Sequence, residues 1–368
     1  MEMVRIVAWV ALIGAVFVML WKKDTNEKED KLVETLTKMP DHMHPHISVE
    51  TTFLTKWCDE LDISRELLLK LKKELAKKIV GLDGLINALI VTLLVNSHAL
   101  IEGVPGLAKT KTIATLAHAL DLSFRRIQFT ADMLPSDITW VEIYNSQTKQ
   151  FEVQRGPVFA HIVLADEINR ATPKVQSALL EAMQEQQVTI GNETLKLPHP
   201  FFVLATQNPI EQEGTYNLPE AQIDRFLMKI LVNYPSVEQE QLMLSLLEDV
   251  HISVDPVLDE ASLLEMQQEV ATVILSDELK NYIVRIVDAT RKSSWFHYGA
   301  SPRASFGVML ASKAVARLTG RNYVTHEDVQ RVLLLVLRHR VILTYEAQIS
   351  KRSVDELLTE VVSGVSLT

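Results

Sequence analysis

With 368 residues, 47% of them apolar and 23% charged, the chain is too long for one small domain and too apolar for wholesale disorder. A formal net charge of -10 sets the overall field against nucleic acid unless the basic residues gather on one face, so protein partners are favoured. The single cysteine, Cys58, excludes an intramolecular disulfide and a Cys-rich zinc site.

In chain order, the first feature is the uncharged run IVAWVALIGAVFVMLW at 6–21, which reaches about 24 Å as a helix. Arg5 on one side and Lys22 and Lys23 on the other can snorkel to two interfaces, so residues 1–23 are expected to be a transmembrane anchor. A cleaved signal peptide fits less well, because no A-x-A site precedes the lysine pair. The lysines after the run place the body on the cytoplasmic side. Residues 24–52 are charged and interrupted by Pro40 and Pro45, which describes a tether. Within it His42, His44 and His46 alternate and could bind a metal in an extended conformation, but a solvated linker explains the same residues with no other requirement.

From Phe53 the pattern becomes helical, with an amphipathic stretch from Arg65 to Ile79. Short apolar runs then alternate with helical patterns: 98–102, 124–129, 162–165 and 201–205. Strands in that rhythm predict a parallel α/β sheet covered on both faces. Two further pairs of short strands, 141–144 with 151–154 and 187–190 with 194–197, flank turn-rich segments and predict β-hairpin insertions. Beyond about Pro235 helices dominate: Ser276 is placed to cap one running to about Lys292, and Thr325-His326-Glu327-Asp328 has the form of a capping box. The expected organisation is an α/β domain at 53–235 and a small all-α domain at 236–368.

Chemistry-bearing residues cluster at the ends of the predicted strands. After the first comes Gly103-Val104-Pro105-Gly106-Leu107-Ala108-Lys109-Thr110, followed by a helix, the context in which backbone N–H groups cradle phosphates. Lys109 supplies a positive charge and Thr110 a hydroxyl for Mg²⁺. Ala108 stands where a general phosphate loop has glycine. The run at 162–165 delivers Asp166 and Glu167 to the carboxyl edge of the sheet: Asp166 can order the Mg²⁺ shell, and Glu167 can orient or deprotonate an attacking water. The run at 201–205 leads to Asn208, placed to hydrogen-bond that water or the γ-phosphate, although an Asn-Pro turn would use the same residues.

Taken together, GVPGLAKT, LADEINRA, SALLEAMQEQQVTI, ATQNPIEQEGTYNLPEAQIDRF and GASPRA resemble, in order, the MoxR family of AAA+ ATPases over roughly 75–343. The resemblance accounts for Ala108, which family members share. It also implies that Arg225 is an arginine finger presented to a neighbouring subunit's nucleotide and that Arg303 is the sensor-2 arginine of the lid. A guanidinium supplied in trans requires an oligomer, with six subunits the expected number. The implied activity is ATP hydrolysis with Mg²⁺, used to remodel, mature or assemble a client protein. The implied partner is a von Willebrand factor A-type, metal-binding protein. Two alternatives are a nucleic-acid translocase and a nucleotide-dependent scaffold. Against the first, the hairpins carry Glu142, Glu152 and Glu193 beside Lys149, Arg155 and Lys196. Against the second, a scaffold needs none of Glu167, Asn208 and Arg225.

Overall fold

The computed structural model describes residues 66–367 apart from 105, 108, 146–148, 191–192, 210–213 and 249–252. Two helices, α1 (Glu66–Ala76) and α2 (Asp83–Leu94), lead into β1 (Ala99–Gly103). Then follow α3 (Lys109–Ala119), β2 (Phe124–Gln128), α4 (Pro135–Thr139), β3 (Trp140–Asn145), β4 (Gln150–Arg155), β5 (Ile162–Asp166), α5 (Pro173–Glu185), β6 (Gln187–Ile190), β7 (Glu193–Lys196), β8 (Phe202–Gln207), α6 (Glu220–Ile223) and β9 (Met228–Val232). The C-terminal part comprises α7 (Val237–Glu248), α8 (Glu260–Thr272), α9 (Asp277–Lys292), β10 (Phe296–Tyr298), α10 (Pro302–Leu318), α11 (His326–Leu337), β11 (Ile342–Leu343), α12 (Tyr345–Ile349) and α13 (Val354–Ser363).

The main sheet has five strands in the order β2-β5-β8-β1-β9, all pairs parallel. In this order β5 and β1 flank β8, so the loops that leave all three strands emerge side by side at the carboxyl edge, where ligands of open α/β sheets bind. Strands β5 and β8 are buried through most of their length, which explains why they appear in the sequence as unbroken apolar runs. Both expected hairpins are present, as the antiparallel pairs β3-β4 and β6-β7. The sheet also holds a strand the sequence reading lacks. Lys229 interrupts the apolar run of β9; it pairs with Glu102 on the adjacent β1 at 2.7 Å, and the two charges neutralise each other across the strands.

The helical part follows its capping signals. Ser276 Oγ accepts from the Leu279 N–H at the start of α9, and Thr325 and Asp328 form a capping box at the start of α11. Asp328 is buried, and Arg321 holds it with two bonds at 2.6 and 2.7 Å. Small buried residues of α10, including Ala304, Gly307 and Ala311, let α11 approach closely through Val329, Val332 and Val336.

The expectation of a membrane-anchored fold is corrected. Among the described residues no helix is long and apolar enough to cross a membrane. A span needs about 20 apolar residues. The described helices reach 17 residues, in α10. The most evenly apolar of them, α2, has 12 residues and is buried from Leu85 to Leu94 against β9 and α10, so its apolar circumference serves the protein core. The run at 6–21, the tether and its histidines, and Cys58 lie outside the described residues, and the placement of the body at a membrane is withdrawn with the anchor.

His98 ties β1 to its surroundings. Its Nδ1 accepts from the Val203 N–H at 3.1 Å, so the proton sits on Nε2, which donates to the Met183 carbonyl at 3.2 Å. Full burial lowers its pKa to about 4, while the bond to Met183 opposes the shift. The folded state therefore binds this proton less readily than the unfolded chain, where His titrates near 6.5. Stability from His98 is complete above about pH 6.5 and is lost as the pH falls from there towards about 4. We expect the urea midpoint to drop steadily across that window. His339, also held well below its ordinary value by burial and by the Arg340 charge, should steepen the fall. A flat midpoint from pH 7 to pH 5 would contradict the neutral assignment.

Candidate functional site

At the carboxyl edge β1 ends in Gly103, where an added Cβ would lie 2.7 Å from the Val232 carbonyl oxygen, so β9 can pack here only against glycine. The loop then turns through Gly106 at φ +85°, a left-handed conformation that glycine adopts without strain. Val104 is half-buried, Leu107 is buried, and Pro105 and Ala108 lie outside the described residues. Helix α3 opens with Lys109 and Thr110, which places both side chains beside the loop.

A cavity of about 380 Å³ sits over this edge, lined among others by Lys109, Thr110, Asp166, Glu167, Gln207 and Asn208. Seven expected site residues from three separated segments, Gly106 and Leu107 included, thus converge on one space. Lys109 Nζ donates to the Gly103 carbonyl. Burial pulls its pKa below the usual lysine value, while Asp166, Glu167 and Glu102 oppose that shift. Thr110 Oγ1 lies 3.4 Å from Asp166 Oδ2. The other carboxylate oxygen, Asp166 Oδ1, accepts from Thr206 Oγ1 at 2.6 Å, and Thr206 Oγ1 in turn accepts from the Glu167 N–H at 2.9 Å. One hydroxyl therefore fixes both acidic residues to β8.

Glu167 adopts φ 57° and ψ 49°, left-handed for a residue with a side chain, at a cost of about 1–2 kcal/mol. The turn swings its carboxylate away from the strand line, and Oε2 is then held by Gln128 Nε2 at 2.8 Å and Arg170 Nε at 3.1 Å. Asn208 is buried at the end of β8. Among the described residues no group of three His, Cys, Asp or Glu side chains could hold a metal ion. A hydroxyl and a carboxylate alone suit Mg²⁺, a hard cation that takes oxygen ligands and fills its octahedron with waters and substrate phosphates. The residues present thus fit that ion.

A second cavity, of about 410 Å³, shares Gly106, Leu107 and Lys111 with the first. Its apolar wall includes Ile79, Val80, Leu82, Tyr234 and Met243, drawn from the segment before α2, from the link between sheet and helices and from α7. An apolar slot that opens off a phosphate cradle offers room for a flat base. Sequence reading missed it because those residues are apolar and scattered over more than a hundred positions.

The two expected arginines lie outside the phosphate cavity. Arg225, partly buried, donates to the Leu180 carbonyl on α5 at 2.9 Å. Arg303, exposed at the start of α10, reaches Asp224 Oδ2 at 3.3 Å, and Ser301 Oγ donates to the same oxygen at 3.1 Å. Buried Arg340, which the sequence reading did not select, donates to Asp224 Oδ1 at 2.7 Å and to the carbonyls of Asp224, Phe226 and Leu227 at 3.1, 2.7 and 3.0 Å. The helical part is thereby clamped to the segment that carries Arg225. Arg340→Ala should leave Asp224 short of its buried partner and cost about 3–5 kcal/mol, read as a lower urea midpoint. A loss below about 1 kcal/mol would mean the clamp contributes little.

Comparison with known proteins agrees with this architecture. Residues 98–228 match the model of the ATPase family associated with various cellular activities (AAA), and 288–361 match that of the AAA lid domain. The chain is 46% identical over 303 residues to Chaperone MoxR1 of Mycobacterium tuberculosis, covering 80% of each protein. It is 29% identical over 317 residues to Protein MoxR of Methylorubrum extorquens, covering 79% of this chain and 90% of that one. A crystal structure of a Cytophaga hutchinsonii protein superimposes with a TM-score of 0.79 at 42% identity, over 87% of this chain and 97% of the other. The parallel sheet, the phosphate loop at its edge and the helical part behind it, with identities this high over most of both chains, make this protein a member of the MoxR family of AAA+ ATPases.

Proposed function

We propose that this chain binds and hydrolyses Mg·ATP at the carboxyl edge of its sheet and, as an oligomeric ring, uses the cycle to remodel or assemble a client protein. The convergence of Lys109, Thr110, Asp166, Glu167 and Asn208 on one cavity carries the reading. The name of the chaperone relative supports the client role.

In this scheme residues 53–235 form the nucleotide-binding domain and 236–368 the lid. The backbone from Gly103 to Thr110 cradles the phosphates, Lys109 neutralises their charge, and the base enters the apolar slot. Thr110 and Asp166 would hold Mg²⁺, which when bound offsets charge on the phosphate oxygens. Glu167 accepts the proton of the attacking water, with its carboxylate set by the left-handed turn and by Gln128 and Arg170. Asn208 orients that water or the γ-phosphate. Arg225 serves the nucleotide of a neighbouring subunit. Arg303 reports nucleotide to the lid by exchanging Asp224 for phosphate; its present pair is exposed and weak enough to exchange, at about 0–1 kcal/mol. A von Willebrand factor A-type protein is the proposed partner.

Ring formation is tested by light scattering with Glu167→Gln in the presence of Mg·ATP. A mass near six subunits is expected. A monomer under every nucleotide condition would refute the trans role of Arg225.

A further inference from the structure

Asp166 Oδ2 is the carboxylate oxygen that faces Thr110, and Arg126 on the neighbouring edge strand takes it with two bonds, from Nε at 3.0 Å and from Nη2 at 2.7 Å. Its companion Oδ1 is committed to Thr206. Arg126 Nη2 also donates to Gln128 Oε1 at 2.5 Å, and Gln128 Nε2 donates to Glu167 Oε2 at 2.8 Å. Residues 126 and 128 share one face of β2 by the two-residue period of a strand, so that face touches both acidic residues of the site. Nothing in the phosphate-loop or acidic motifs signals it, and the sequence reading makes 124–129 a buried apolar strand, whereas Arg125, Arg126 and Gln128 of β2 are exposed.

We propose that Arg126 is a positioning residue that sets the Mg²⁺ affinity of the site by competing with the ion for Asp166; the proposal rests on the assignment of Asp166 as the metal-holding carboxylate. An oxygen that accepts two bonds from a guanidinium has no strong lone pair left, so an ion approaching Asp166 from the Thr110 side must displace at least one of them. The positive charge adds a repulsion a few ångströms from the ion. Arg126 is thus a built-in opponent of the metal: it holds Asp166 oriented and keeps the site from closing on Mg²⁺ that arrives without a nucleotide to supply the remaining ligands. Gln128 gives the released guanidinium a second anchor on its own strand and links its movement to Glu167.

The test is a Mg²⁺ titration of the binding of a fluorescent ATP analogue to the full chain, comparing wild type, Arg126→Gln, Arg126→Lys and Asp166→Asn. Arg126→Gln should lower the half-saturating Mg²⁺ concentration by about tenfold, since it removes both the charge and the paired donors. Arg126→Lys, which keeps the charge and loses the fork, should fall between. Asp166→Asn should raise the concentration, and that arm checks the underlying assignment separately. If Asp166→Asn raises it while Arg126→Gln leaves it unchanged or raises it, the competition is overturned. If Asp166→Asn leaves it unchanged, the metal assignment itself fails, and the proposal with it. A purely structural ion pair would change the unfolding midpoint and not the Mg²⁺ titration.

Discussion

Replacing Glu167 with glutamine is expected to lower ATP turnover by at least about a hundredfold while Mg·ATP binding stays within about twofold of wild type. The reason lies in how the residue is held. Its left-handed backbone, the Thr206 hydroxyl that accepts its N–H, and the two donors on Oε2 fix the side chain, and of these only the Arg170 ion pair depends on its charge. Glutamine can keep the shape and much of this bonding, but an amide cannot take a proton from water. On the proposed scheme binding depends instead on Lys109, the loop backbone and the apolar slot, which the substitution does not touch. Phosphate release at steady state and fluorescence titration with an ATP analogue separate the two quantities. Wild-type turnover in the variant would remove Glu167 from the chemistry, and lost binding would make its role electrostatic or structural.

The second large effect concerns Arg225, whose alanine variant should lose about 10³-fold in turnover, the lower end of what a guanidinium supplied in trans contributes to phosphoryl transfer. Arg225 lies outside the cavity of its own chain, tied to the Leu180 carbonyl, so acting on its own nucleotide would require it to leave that bond and cross to the phosphate cavity. In the proposed ring it acts on a neighbour instead. Mixing Arg225→Ala with Lys109→Ala should therefore restore a fraction of the activity: a ring containing both kinds of subunit places an intact Arg225 beside an intact Lys109 at some interfaces. Mixed rings of demonstrated composition with no recovered turnover would mean that Arg225 acts within its own chain or only holds the loop. Because Arg340 and Arg303 bind the adjacent Asp224, any movement of the lid is passed to the segment carrying Arg225. In the proposed ring that arrangement would give a physical route from the lid to the neighbouring site.

Most of this frame is legible in the sequence because its elements follow local rules. The buried parallel strands β5 and β8 are unbroken apolar runs, the hairpins are bounded by turn residues, and Ser276 and Thr325 cap as their positions dictate. Gly103, Lys109, Thr110, Asp166, Glu167 and Asn208 are readable for a related reason, since each stands at or near a strand end where parallel topology requires a ligand crevice. What escapes notice is set by tertiary packing. Strand β9 is disguised by Lys229, whose charge makes sense only once Glu102 is beside it. Arg126 and Gln128 belong to an exposed edge strand, and their role follows from the register that puts Gln128 opposite Asp166. Arg340 lies over a hundred residues from the segment it clamps. The membrane expectation rested on hydropathy alone, and the helices that are described are apolar where they are buried against one another.

The central claim, that the cavity over the sheet edge is where this chain binds and hydrolyses ATP, is tested most directly by calorimetric Mg·ATP binding to wild type and Lys109→Ala, with phosphate release followed on the same samples. One nucleotide per chain, released phosphate in wild type, and loss of both in Lys109→Ala are the expected results. Undiminished hydrolysis in Lys109→Ala would place the chemistry elsewhere and contradict the assignment.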